Sequence, residues 1–450
     1  MAENIKYRES AKFGALRELK AAEIFMKQGF TVSVPNMSAR YDFIAEKYPV
    51  SYRVQVKALN LKNGTVNTWH IHPFSGIKEK RRACTERDCD LVVGICLETG
   101  SFAIVPISEA ADKADKKEFR LSEHEKSKGK KYLNSYTAVL KEKVLGAVIG
   151  LCVADALGVP VEFTSREALE YSPVTDMRGY GTYSQPPGTW SDDTTMTLCL
   201  LDSLKNGLDY ADIMRKFISW TKKGEYTPYG KVFDVGINTR RALARFARGA
   251  EPLECGGIFE HDNGNGSLMR ILPLAFYLYA SYGADFTAGD EAFQIIHDVS
   301  SLTHAHQRSH IACGIYLSIA TSLFEAPDLK SGIYSGIREA KRHYENRDGY
   351  ADELKHYNRI FDDDFMNLPN EAIKSGGYVV DTLEAALWCL LNSDSYENCV
   401  LKAVNLGEDT DTVAAVAGGL AGIYYGYDAI PEKWISQIAR LEYIKGLCEM

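Results

Sequence analysis

From about residue 140 to the C-terminus, apolar residues recur at the three-to-four spacing of helices. The runs are EKVLGAVIGLCVADALG, TTMTLCLLDSLKNG, YADIMRKFISWTKK, SLMRILPLAFYLYA, SHIACGIYLSIATSLF, VVDTLEAALWCLL and DTVAAVAGGLAGIYYG. Strand-like alternation is not evident there, so this half is predicted to be all-α. The first 110 residues read differently. One helical run, GALRELKAAEIFMKQGF, precedes five short segments rich in Val, Ile and aromatics: FTVSV, YDFIAE, YRVQVKAL, DLVVGICL and SFAIVPI. These predict the strands of an α/β domain. Between the halves, ADKADKKEFRLSEHEKSKGKKYLNS is charged and poor in apolar residues, as a linker or an exposed final helix would be. The predicted organisation is multidomain: an α/β domain over 1–110, a charged linker or terminal helix over 111–141, and an all-α domain over 142–450.

A length of 450 residues with 45% hydrophobic content supports two cores of ordinary size. No apolar run is expected to approach the roughly 18 residues of a membrane span. MAENIKYRES lacks the apolar core of a signal peptide, so a cytoplasmic protein with no membrane partner is expected. The net charge of −8 conceals an asymmetry. Residues 1–145 hold 26 Lys/Arg against 18 Asp/Glu, a balance of +8, and the remainder holds 26 against 42, a balance of −16. The basic part is the one suited to a polyanion. Ten cysteines are scattered, mostly in apolar stretches where a thiol acts as a small hydrophobe. Cys84 and Cys89 form the closest pair, but without a second pair their spacing is a weak zinc signal.

Two helix starts carry more acid than caps require. In GTWSDDTTMTLCLLDSL, Ser191, Asp192 and Asp193 open one helix. In GEDTDTVAAVAGGLAG, Glu408, Asp409, Asp411 and Thr412 open another. A single carboxylate per start suits the macrodipole, yet Asp409 and Asp411 cannot both serve one cap. If the two starts meet, their carboxylates repel unless protons or cations intervene, and Asp and Ser/Thr oxygens suit Mg²⁺ or Mn²⁺. On spacing alone, two separate caps explain these residues as well as a metal site does. The small residues of 414–422 predict close backbone approach. His304, His306 and His310 form an HxHxxxH pattern that reads as helix-end chemistry rather than zinc.

GAVIGLCVADALGVPVEF, PGTWSDDT, GNGSLMR, SLTHAH, GGYVVDTLEAALW and GEDTDTVAAVAGGLAG occur in the order found in the ADP-ribosylglycohydrolase family, which residues 142–450 resemble. The resemblance implies an all-α fold with two Mg²⁺ or Mn²⁺ ions, cleaving the bond between ADP-ribose and an acceptor. It implies metal ligands at Ser191, Asp192, Asp193, Asp409, Asp411 and Thr412, and catalytic roles for Glu162, Asp193 and Asp409. It further implies substrate contacts from Asp262, Asn263, Gly264, Asn265, Gly266 and His304, with Tyr378 either stacking on substrate or belonging to the core. Backbone N–H groups of GNGSLMR ahead of a helix suit a diphosphate. Two departures stand out: Glu408-Asp409 replaces the usual Gly-Asp, and Ser191 replaces the commoner threonine.

Residues 8–110 resemble the PD-(D/E)xK nuclease superfamily through GALRELKAAEIFMKQGF, ARYDFIAEK and YRVQVKALNLKNG. This implies a restriction-endonuclease-like fold with Glu18 on the first helix, Asp42 on one strand, and Gln55 and Lys57 two apart on the next, hence on one face. Asp42 would bind one further Mg²⁺, Gln55 would lend a carbonyl oxygen, and Lys57 would orient water. The basic run 77–87 is a candidate DNA or RNA contact. The first expectation is thus an ADP-ribosyl hydrolase, acting on a modified protein or nucleic acid, with a nuclease-like, nucleic-acid-binding domain. The rivals are a nuclease effector whose helical domain senses ADP-ribose or a related nucleotide, and a non-catalytic immunity protein that blocks an ADP-ribosyltransferase.

Overall fold

A computed structural model describes residues 2–27, 30–35, 39–47, 50–61, 68–71, 74–75, 82–97, 99–111, 119–122, 137–282 and 289–449. The chain divides into two compact units, one of residues 1–140 with 280–284 and one of residues 141–279 with 285–450, and the helices Thr137–Gly158 and Pro273–Tyr282 are grouped with the second, which holds most of each. The first contains α1 (Ala2–Lys27), β1 (Thr31–Ser33), β2 (Phe43–Lys47), β3 (Val50–Leu61), β4 (Thr68–Ile71), β5 (Phe74–Ser75), β6 (Arg82–Ala83), β7 (Leu91–Ile95), β8 (Phe102–Pro106), α2 (Ile107–Ala111) and β9 (Phe119–Ser122).

The twelve-residue β3 organises the sheet: it pairs antiparallel with β2 and β4 and parallel with β7, which in turn pairs with β8. Phe25 of α1 packs with Phe43, Val54, Val93 and Ile104 in one apolar cluster, while Leu59, Ile71, Cys84, Cys89, Val92 and Val105 form a second. Cys84 and Cys89 are fully buried beside one another, and the Cys89 thiol is pushed up by its hydrogen bond with Cys84 and by burial, so the pair serves as core rather than as zinc ligands. The segment expected to be a charged linker or helix contains β9, paired antiparallel with β4. In EFRLS the alternation that makes a strand spans only four residues and is swamped by the surrounding charge. Residues 112–118 and 123–136 of that segment, and 77–81 of the basic run, lie outside the described residues.

The second unit comprises α3 (Thr137–Gly158), α4 (Arg166–Tyr171), α5 (Asp192–Leu204), α6 (Tyr210–Lys223), α7 (Ile237–Ala247), α8 (Pro273–Tyr282), α9 (Asp290–Ser301), α10 (Gln307–Glu325), α11 (Leu329–Tyr344), α12 (Ala351–Leu354), α13 (Val379–Leu391), α14 (Tyr396–Val404), α15 (Thr410–Tyr425), α16 (Glu432–Ile435) and α17 (Leu441–Cys448). Among its described residues there is no strand beyond two isolated bridges. Local signals set the ends of these helices. Asp209 caps α6 by accepting from the Asp212 N–H, and Gly224 stops it at φ 70°.

The middle of the unit is α3 against α15. A Cβ added at Gly150 would stand 2.6 Å from the Gly418 carbonyl oxygen, and one at Gly146 2.5 Å from that of Gly422, so the two backbones touch. The stretch Lys143–Val161 is long and apolar enough to cross a membrane, contrary to the expectation that no run reaches that length, but 89% of it is buried inside the protein. Its hydrophobicity serves an element packed on every side.

Candidate functional site

The close approach of α3 and α15 brings distant acids together. Thr410 Oγ1 donates to the Gly158 carbonyl at 2.8 Å, seating the start of α15 on the end of α3. The chain leaves α3 through Glu162. There Phe163 N donates to Glu408 O at 2.7 Å and Glu408 N to Thr164 O at 2.9 Å, clamping Glu162 beside Asp409. Phe163 (φ 64°) and Glu408 (φ 62°) both adopt the left-handed conformation, an uncommon state for such side chains held here by the clamp. Glu408 is exposed and contributes its backbone.

The start of α5 arrives from the other side. Ser191 caps it by accepting from the Asp193 N–H, and its hydroxyl lies 3.1 Å from Asp193 Oδ2. Thr412 Oγ1 donates to the same Oδ2 at 3.3 Å across 219 residues of sequence, so the two acid-loaded helix starts meet. Carboxylate oxygens of Glu162, Asp409 and Asp411 lie within 4.8 Å of one another. Glu162 Oε2, Asp193 Oδ1 and Asp411 Oδ2 are buried without a hydrogen-bond partner. No Lys or Arg among the described residues forms an ion pair with these acids. Burial, followed by mutual repulsion, raises Asp192, Asp193 and Asp411 well above the ordinary carboxylate range, and burial also raises Asp409. Glu162 is raised to about 8 by burial and then by Asp234. Unpartnered buried oxygens from hard ligands fit divalent cations.

A cavity of about 390 Å³ opens beside this cluster, lined by Glu162, Asp192, Asp409 and Thr412 on one side. Gly264, Asn265, Gly266 and His304 line another part of it. Asn265 Nδ2 donates to Asp409 Oδ2 at 2.8 Å and to Thr382 Oγ1 at 3.0 Å, tying the glycine loop to the acids. His304 is buried with Nδ1 engaged by Thr303 Oγ1 at 2.8 Å. Burial lowers it to about 3, so the ring is neutral. Asp262 and Asn263 turn inward: Asp262 Oδ2 accepts from Phe259 N at 3.1 Å and Asn263 Oδ1 from Ser309 Oγ at 3.0 Å, shaping the loop. Tyr378 pairs its backbone with Gly264 while its hydroxyl accepts from Arg308 at 3.1 Å, away from the cavity lining.

His306 is the N-cap of α10, and His310 lies between Ser301 at 2.8 Å and Tyr350 at 3.0 Å, so the three histidines of the HxHxxxH pattern have separate partners.

Two acids of the site escaped sequence reasoning. Asp155, fully buried on α3, accepts from Ser191 N at 2.9 Å, from Thr194 N at 3.1 Å and from Thr194 Oγ1 at 2.6 Å, fixing the start of α5. Its position inside the apolar run IGLCVADALG was the available signal, since a buried acid there must have partners. Asp234 lines the cavity at φ 49°, raised to about 6 by burial. The Tyr183 hydroxyl lies within reach of both Asp234 and Glu162 and lowers both. No local pattern marked it.

In the first unit Asp42, Gln55, Lys57 and Glu18 converge. Asp42 Oδ2 accepts from Gln55 Nε2 at 2.5 Å and Val56 N at 2.6 Å, and Glu18 is raised by burial and by Asp42 but lowered by Lys57. Gln55 turns its amide nitrogen toward Asp42 rather than offering the carbonyl oxygen to that side.

The family model for PD-(D/E)XK endonuclease matches residues 9–139, and that for ADP-ribosylglycohydrolase matches residues 136–450. The ADP-ribosylarginine hydrolase Tri1 of Serratia proteamaculans is 32% identical over 311 residues, covering 68% of this chain and 78% of the relative. The ADP-ribosyl-[dinitrogen reductase] glycohydrolase of Rhodospirillum rubrum is 34% identical over 301 residues, covering 66% and 90%. A solved structure titled ADP-ribosylglycohydrolase-related protein complex aligns with a TM-score of 0.56 at 31% identity, over 68% of this chain and 96% of that one. With the acidic helix starts joined over a glycine-lined cavity and the match running through all of the helical unit, this chain belongs to the ADP-ribosylglycohydrolase family.

Proposed function

We propose that the protein is a metal-dependent hydrolase that releases ADP-ribose from a modified protein or nucleic acid, with two Mg²⁺ or Mn²⁺ ions held by Ser191, Asp192, Asp193, Asp409, Asp411 and Thr412. The observation that carries this reading is the trio of buried, unpartnered carboxylate oxygens on Glu162, Asp193 and Asp411, in the acidic cluster whose Glu162, Asp192 and Asp409 line the cavity. Bound there, the ions supply Lewis acidity and a means of acidifying water at neutral pH. The chain's own groups do the rest. Glu162 Oε2 takes the proton of the attacking water as general base. Asn265 holds Asp409 in orientation, Asp155 holds the start of α5, and Gly264 and Gly266, which line the cavity with the neutral ring of His304, leave room there for the diphosphate; no helix begins directly after this loop, because residues 267–272 form turns ahead of α8.

For the first unit we propose a restriction-endonuclease-like fold that binds nucleic acid, supported by the convergence of Glu18, Asp42, Gln55 and Lys57 and by its basic charge, with Asp42 the ligand of any further Mg²⁺ there. The test offers a panel of ADP-ribosylated proteins and nucleic acids to the full chain with Mg²⁺ and with EDTA. Release of ADP-ribose only with Mg²⁺ is expected, and metal-independent release, or none from any substrate, overturns the reading.

A further inference from the structure

Helix α7 carries a feature that neither the acidic centre nor the glycine loop uses. Its first turn lines the cavity through Ile237, Asn238, Thr239 and Arg241. From there, Arg240, Arg241, Arg245 and the C-cap Arg248 lie within about 140° of one another around the helix axis, a stripe about 12 Å long. The opposite face, Thr239, Ala242 and Leu243, is buried, so the arginines are the solvent face. In a chain portion with a balance of −16, none of the four pairs with a carboxylate among the described residues. Arg240 and Arg245 each give one donor to a backbone carbonyl, of Val235 and Cys255, which leaves most of each guanidinium fork outward. Two exposed rings neighbour the same cavity: Phe259, 61% exposed, stacks on the cavity-lining His261, and Phe163, 67% exposed, follows the cavity-lining Glu162.

We propose that this stripe is a phosphate track leading into the cavity, and that the acceptor from which ADP-ribose is removed is a single strand of nucleic acid. The inference rests on the hydrolase reading above and names the substrate class of the same site. Guanidinium forks match phosphate oxygens in paired hydrogen bonds. Exposed rings at a cavity that a basic track enters suit a single strand, because every base offers a face for stacking. A single strand can also bring one modified base or end to a cavity that a duplex cannot enter. The PD-(D/E)XK match in the same chain points to the same class of partner.

The test compares the full chain with the double variant Arg240→Ser/Arg248→Ser, which leaves the cavity-lining Arg241 in place. Release of ADP-ribose with Mg²⁺ is measured from single-stranded DNA and RNA modified on a base or terminal phosphate, and from ADP-ribosylated protein. For the oligonucleotides the variant is expected to raise KM about tenfold at low salt, with kcat within twofold. It should also flatten the dependence of log KM on log salt by about 1.4. Release from protein substrates only, or an unchanged KM on oligonucleotides, overturns the nucleic-acid assignment and leaves the hydrolase intact. A loss on acidic protein substrates alone assigns the stripe to a protein partner and also overturns it. No release from any substrate fails the hydrolase reading itself.

Discussion

Asp155, buried, and Asp409, half-buried, belong to one acidic centre with opposite surroundings. Asp155 accepts hydrogen bonds from Ser191 and Thr194 with both oxygens, so Asp155→Ala strands buried donors at about 1–3 kcal/mol each and is expected to destabilise the helical unit by at least about 3 kcal/mol, read by urea unfolding. Asp409 faces repelling carboxylates. Asp409→Asn keeps an acceptor for Asn265 and removes one charge. It is expected to abolish ADP-ribose release while the metal-free melting temperature equals or slightly exceeds that of the parent. Burial of these acids dictates a pH dependence. Glu162 is held at about 8, and Asp155 and Asp234 at about 6, all by burial first, so the folded protein binds protons more tightly than the unfolded chain. That contribution is present in full below about pH 4 and is lost as pH rises through 6 and 8. In EDTA, melting at pH 8 is expected at least about 5 °C below that at pH 5.5, and Mg²⁺ should shrink the gap. An unchanged or rising melting temperature would remove the case for a strained acidic cluster.

At the scale of elements, the pocket depends on how closely α3 and α15 approach. A methyl at Gly418 would stand 2.5 Å from Ala154 Cβ and 2.7 Å from the Gly150 carbonyl oxygen, and the backbone side of that contact has nowhere to move. Gly418→Ala is therefore expected to cost about 2–4 kcal/mol, although alanine is the better helix former by about 1 kcal/mol. Gly446 on α17 has open space around it, and Gly446→Ala is expected to be neutral or stabilising by up to about 1 kcal/mol. Comparing the two by denaturant midpoint separates packing from propensity. Much at this scale was legible in the chain. Six of the seven helical runs and the five strand-like runs appear as helices and strands, because periodicity and caps are local, whereas in SLMRILPLAFYLYA residues 267–272 form turns and the helix starts only at Pro273, a residue suited to a first helical turn. The short strands β4, β5, β6 and β9 were not, since two to four residues carry too little pattern.

At the scale of the whole molecule, a basic part of +8 precedes an acidic one of −16. Binding of the full chain to DNA or RNA is expected to weaken steeply between low and physiological salt, because Lys and Arg contacts displace condensed cations. If the convergent Glu18, Asp42, Gln55 and Lys57 also cleave, Lys57→Ala is expected to stop Mg²⁺-dependent cleavage and leave binding within about twofold, as measured by anisotropy and gel assay. Absence of binding at low salt would reduce the nuclease likeness to shared ancestry.

By itself the sequence determined which residues open each helix, where acid accumulates, and which segments pack with small residues. Those are properties of a few neighbouring positions, governed by caps, dipoles and periodicity. It left open whether the two acidic starts were separate caps or one centre. Only the tertiary structure decided that, by bringing Thr412 to within 3.3 Å of Asp193 and leaving three carboxylate oxygens buried without partners. It also recruited Asp155 and Asp234, and it turned Asp262 and Asn263 inward to shape the loop while Gly264, Asn265 and Gly266 face the cavity. The physical reason is the same in each case. Which helix ends face one another depends on how closely distant backbones can pack, and that is set by contacts between residues hundreds of positions apart.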